Sequence, residues 1–268
     1  MADDPVSAWP PRRAWLSDLR WPDAAAGIRE GRVVVVPIGA ACKAHGPHLP
    51  LDTDRQLAIA LASGVAAALP VLVAPVIDVG FYPAFVEYPG SQSIRSSTFI
   101  ALATDVLSKL VRDGARRIAV INTGVSTEAP LALAARDVLE QRGVTVHIAD
   151  IRSLGHAARH VLEQPRGGHA DEQETSIMLA IDPTRVRMQL AQAEPEEDVA
   201  PNVFRHPLVL RDDPRAGPSY SRTGATGDPT LATAQKGRQL LDAMIADLVA
   251  GLRATFPDAP GMCSSCAR

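Results

Sequence analysis

Apolar positions along the chain fall into two alternating patterns. Short β-branched runs at residues 32–37, 71–77, 117–122 and 145–151 predict strands. Between and after them, apolar residues recur at helical spacing over residues 54–69, 97–112, 129–142, 170–181 and 229–254, which predicts helices. The run Arg32-Val-Val-Val-Val-Pro37 has no polar alternation, the pattern of a strand covered on both faces. Strands alternating with helices in this way predict an α/β fold, a three-layer α/β/α arrangement around a mostly parallel sheet.

Two stretches rich in Pro, Gly and Ser interrupt the alternation, at residues 80–97 and 192–227. Loops of that length in a compact domain usually serve function or hold subunits together. With 268 residues and 46% hydrophobic positions, one domain suffices. Its expected limits are 31–255, after an N-terminal extension at 1–30 and before a flexible tail at 256–268. A net charge of −3 gives no basic field for a phosphate backbone, so nucleic acid is not an expected partner. No apolar run is long enough to span a bilayer and no signal peptide opens the chain, so the expectations are no membrane partner and a cytoplasmic location. Cys263-Ser-Ser-Cys266 lacks a second pair and is read as part of the tail.

Chemistry-bearing residues concentrate in two places. The first is His45-Gly-Pro-His48-Leu-Pro-Leu-Asp52-Thr-Asp54, in the loop leaving the strand at 32–37, where open α/β sheets place their ligands. Two imidazoles and two carboxylates in one loop have the composition of a metal site. The second is His169-Ala-Asp171-Glu172-Gln-Glu174, opening a helix. Asp171 and Glu174 share a face, while Glu172 points elsewhere. Asp171 has an ordinary alternative as a helix N-terminal charge. Glu174 sits ahead of an apolar helix face, where a carboxylate without a metal or donor is costly. His156 and His160 are spaced for a zinc pair but lack a supporting acid, and His147 and His206 are read as structural. The run Asn122-Thr123-Gly124-Val-Ser126-Thr127 follows a strand and could present N–H groups and hydroxyls to an anion or a carbonyl oxygen.

With Tyr82-Pro-Ala-Phe85, Tyr88-Pro-Gly90 and the segment from Gly227 to Gly237, these motifs resemble the creatininase (creatinine amidohydrolase) family from about residue 33 to 252, in a branch with a Lys-Glu-His-Gly-Pro-His type motif. The resemblance implies a creatininase-like α/β/α subunit, commonly hexameric, that hydrolyses non-peptide C–N bonds with divalent ions. Zinc is the first expectation, with manganese or iron as alternatives, at one or two ions per subunit. It implies metal ligation by His45 and Asp54, completed by Glu174 and His48. His169 would move protons, with Glu172 as a further catalytic candidate, and Tyr82, Phe85, Tyr88, Thr123 and Ser126 would contact substrate. The expected partners are a small-molecule substrate, a cyclic amide, lactam or formamide, and further copies of the chain. A peptidase or deformylase, or a non-catalytic binder, is the alternative.

Two departures from the family pattern stand out. Lys43 and Ala44 occupy the positions where relatives carry a glutamate, and Thr123, Gly124 and Ser126 replace an Asn-Gly-His followed by an acid. Ala44 admits three explanations: a site rebuilt from other residues, a lost activity, or an introduced substitution that empties a metal or base position.

Overall fold

The structure is a computed structural model that describes residues 14–194 and 209–262. Four parallel strands form the sheet: β1 (Val34–Ile38), β2 (Leu72–Val73), β3 (Ile118–Asn122) and β4 (Val146–Asp150), in the order β2-β1-β3-β4. Along β1 the pleat sends Val35 to one face, against α2 (Thr53–Ala68) and α6 (Ala234–Thr255), and Val34 and Val36 to the other, against α3 (Ser96–Arg112) and α4 (Glu128–Arg142). In β3, Ala119 and Ile121 follow Val35, and Ile118 and Val120 follow Val34. Both faces are therefore covered, as the unbroken valine run requires.

The expected strands and helices are present with shifted ends. β2 keeps two residues because Pro75 cannot donate to the ladder, although Ile77 pairs again with Ile38. Helix α5 (Glu172–Ile181) starts two residues later than expected because Ala170 takes a left-handed backbone, φ 52°, and Asp171 caps the helix by accepting from Glu174 N. Helix α6 starts at Ala234, not 229, since Pro229–Leu231 forms its own short turn and Thr233 is the N-cap. The chain also departs from the expected limits at both ends. A further helix, α1 (Trp21–Arg29), lies in the expected extension and buries Ile28 against the α3 side. Past 255, the tail expectation fails as far as the description runs: Phe256, Ala259 and Met262, three apart, are buried in the α2/α6 core. Cys263 and Cys266 lie outside the described residues.

Helices α5 and α6 pack with their backbones close together. A Cβ at Gly237 would stand 1.8 Å from Ser176 O, so only glycine fits there. That contact fixes α5, and with it the residues at its N-terminus, against the sheet. No helix among the described residues is long and apolar enough to cross a membrane.

Candidate metal centre

The loop after β1 turns back on itself beside Gly39, where a Cβ would meet Asp54 O at 2.4 Å and Thr123 Oγ1 at 2.6 Å. The close approach brings the first turn of α2 under the strand end, so Asp54 is buried beside His45. Facing them, the strained residue Ala170 separates His169 from the α5 cap, and His169 pairs with Thr226 through both backbone hydrogen bonds, 2.9 and 2.7 Å. Side chains from two segments distant in sequence, His45 from one and His169 and Glu174 from the other, thereby offer ligand atoms all within 4.8 Å of one another.

Hydrogen bonding fixes how the imidazoles present themselves. His45 Nδ1 lies 2.8 Å from the Lys43 carbonyl, and His169 Nε2 lies 2.7 Å from the Ala44 carbonyl. A carbonyl only accepts, so these nitrogens carry the protons. The other nitrogens then point lone pairs inward: His45 Nε2 stands 3.0 Å from Asp54 Oδ1, and His169 Nδ1 stands 3.5 Å from Glu174 Oε2. A lone pair opposite a carboxylate is satisfied by a proton or a cation between them. Two imidazoles oriented by backbone acceptors, plus a carboxylate, suit one divalent transition ion.

Burial sets the charges. Desolvation, reinforced by His45 and Lys43, holds His169 well below the usual imidazole range. Burial pushes the Glu174 carboxyl up. For Asp54, burial opposes ionisation, but Lys43 and His45 outweigh it and hold the carboxyl below the usual range. The Lys43 ammonium is 2.6 Å from Asp54 Oδ2, with side chains 9% and 2% exposed.

The remaining candidates are placed as follows. His48 does not join the three: its Nε2 meets Thr175 Oγ1 at 2.8 Å, and burial together with His45 brings it down to about 4. Glu172 is turned away into a structural network, accepting from the N–H groups of Glu163 and Gln164 and from Lys236. Ala44 packs its methyl against Phe85 and Leu210, so position 44 is an apolar contact, and its carbonyl is what serves the site. Phe85 lies against the His169 ring, centroids 4.0 Å apart. Tyr82 is buried with an unpartnered hydroxyl, and its phenol is pushed up by burial and by Asp54 and Asp78. Tyr88 donates to Ser221 O, tying the 80–97 loop to the later segment.

The expected anion-binding run after β3 is spent on itself. Asn122 Oδ1 accepts from Gly124 N and Thr127 Oγ1, its Nδ2 donates to Gly124 O and Asp150 Oδ1, and Thr123 Oγ1 donates to Ile38 O and Asp54 O. Ser126 is half-buried and outside the cluster. His156 and His160 are exposed in a 3₁₀ helix and bond to backbone carbonyls; His147 packs edge-on against Phe256. His206 lies outside the described residues. Sequence reasoning missed Lys43 as the Asp54 counter-charge and Thr226 as the residue that pins His169; Lys43 opens the first motif but its pairing, like that of Thr226, is made by the fold. A cavity of about 310 Å³ opens beside Glu174, lined also by Arg152, Arg159, Leu162 and Gln173.

Histidines and acids thus gather at the carboxyl ends of the strands of an α/β/α sheet, and sequence comparison shows the family to which such a chain belongs. The family model for creatininase, creatinine amidohydrolase, matches residues 17–252, and the chain belongs to that family of hydrolases. The mycofactocin precursor peptide peptidase of Mycobacterium tuberculosis (strain CDC 1551 / Oshkosh) is 30% identical over 240 residues, covering 85% of this chain and 88% of that one. The creatinine amidohydrolase of Pseudomonas putida is 25% identical over 266 residues, covering 92% and 98%. A solved creatininase with manganese superposes with a TM-score of 0.78 at 23% identity, covering 91% and 99%, which bears on the fold.

Proposed function

We propose that this chain is a metal-dependent hydrolase of an amide C–N bond, with one divalent ion held by His45, His169 and Glu174. The observation that carries this reading is the pair of inward imidazole lone pairs, each fixed by a backbone carbonyl and each facing a carboxylate. Zinc suits that donor set first, with manganese or iron as alternatives, and solved relatives carry manganese or a zinc pair. Such an ion, when bound, supplies polarisation of the amide carbonyl and acidification of a water. The chain's own residues do the rest. Lys43 O and Ala44 O lock the imidazole tautomers, Phe85 shields the His169 face from water, and Glu174 supplies the anionic ligand.

A small cyclic amide, lactam or formamide is the first substrate reading, supported by the creatinine amidohydrolase relative. A peptide amide is the second substrate reading, supported by the peptidase relatives at 30% identity and by the open flank carrying Arg152 and Arg159. The test is elemental analysis of the purified protein alongside turnover of cyclic amides, formamides and short peptides. One ion per chain with hydrolysis of one class supports the reading. Stoichiometric metal with no turnover of any class would point instead to a binding protein.

A further inference from the structure

Asp54 uses its two oxygens differently. Oδ1 faces His45 Nε2 at 3.0 Å, on the side where the imidazoles and Glu174 converge. Oδ2 faces the Lys43 ammonium at 2.6 Å, and that ammonium sits 5.4 Å from the centroid of Phe85. A carboxylate can join two cations only when both oxygens are open to them, and here a fixed positive charge of the protein already holds one. We propose that Lys43 is the resident cation of the Oδ2 side of Asp54, so that the site takes a single divalent ion and excludes a second. This inference rests on the reading of His45, His169 and Glu174 as ligands.

The neighbouring strand end supports it independently. A second ion beside Oδ2 would need further donors, and in the adjoining loop after β3 the side chains of Asn122, Thr123 and Thr127 are already engaged. Gly124 has no side chain, and a Cβ there would meet Thr127 Oγ1 at 2.8 Å and Tyr82 Cε1 at 3.3 Å, because the tyrosine ring fills the adjacent space. An ion at Oδ2 would therefore confront the Lys43 ammonium in a buried setting, where two like charges repel strongly.

The experiment counts ions. The full chain and its Lys43→Glu variant are stripped with chelator and reloaded with excess Co²⁺. Elemental analysis then gives ions per chain, and visible absorption reports their coordination. One ion in the natural chain and two in Lys43→Glu is the expected result, since the exchange removes the ammonium and adds a carboxylate beside Asp54. Two ions in the natural chain would overturn the inference while leaving a metal-dependent hydrolase standing. One ion in both chains would also overturn it, because Lys43 would then not be what excludes the second. No ion in the natural chain would remove the ligand assignment itself.

A second measurement needs no variant. The chain has three lysines, Lys43, Lys109 and Lys236, so ¹⁵N-detected side-chain NMR resolves each ammonium. The Lys43 signal is expected to persist unchanged in frequency as Zn²⁺ is raised from one to three equivalents. Its displacement beyond one equivalent would show that a second ion takes its place, and would overturn the inference even if Lys43→Glu failed to fold.

Discussion

The loops after β1 and β3 leave adjacent parallel strands at the same end of the sheet, and only one of them carries ionisable groups into the site. In the first, Lys43, His45 and Asp54 are buried with charges and lone pairs left facing inward. In the second, Asn122, Thr123 and Thr127 spend their side-chain polar groups on the turn, on neighbouring backbone and on Asp150. Position at the carboxyl end of a strand therefore supplies an opportunity, and what decides its use is whether the loop satisfies its own polar atoms.

The sharpest way to break this contrast is to disturb the charge pair of the first loop. Asp54→Asn strands the Lys43 ammonium in a buried setting and is expected to cost about 3–5 kcal/mol of stability, read from the urea midpoint. A change below about 1 kcal/mol would mean that the pair carries no weight. Next comes acid. His48 holds a pKa of about 4 when folded, against about 6.5 unfolded. Between those values the unfolded chain binds the extra proton, so stability present above pH 6.5 declines as pH falls towards 4, by up to about 3 kcal/mol. The depressed Asp54 carboxyl acts in the same direction but at lower pH, where the unfolded carboxylate protonates. Urea midpoints from pH 7 to 4 test this, and His48→Asn should flatten the upper part of the curve.

His169→Ala removes one of the proposed ligands, and titration calorimetry with Zn²⁺ should show affinity reduced at least about 100-fold. The second loop should behave differently. Asn122→Ala takes from Asp150 Oδ1 its Asn122 donor and from Thr127 one of its two acceptors and is expected to cost about 2 kcal/mol, with the number of bound ions unchanged. Ser126→Ala should lie within about 0.5 kcal/mol and leave turnover intact, and a clear loss of turnover would place the β3 loop in the chemistry after all.

Much of the frame was legible beforehand. The valine run of β1 and the spacing of the helices led to the α/β/α reading because a strand buried on both faces tolerates no polar alternation. The two chemical segments were also legible, since unusual densities of His, Asp and Glu need no structure to be noticed. Within them, helical spacing separated Glu174 from Glu172, and the structure places Glu172 in the Lys236 network apart from the three clustered side chains. The N-terminal extension and the tail were misjudged where apolar residues spaced three apart, such as Phe256, Ala259 and Met262, pack on a core whose location the sequence does not give.

Residue types and their periodicity thus determined the layers, the strand order of chemistry along the chain and the segments that meet. Only the tertiary structure decided which of those residues share a site. Whether His48 or His169 stands beside His45 depends on the left-handed turn at Ala170 and on contacts between positions far apart in the chain, the Ala44 carbonyl and the Thr226 pairing for His169 and Thr175 for His48. The meaning of Lys43 was decided there too. As a letter it is a surface-type residue in place of an acid; folded, it is a buried cation on Asp54, the carboxylate beside His45.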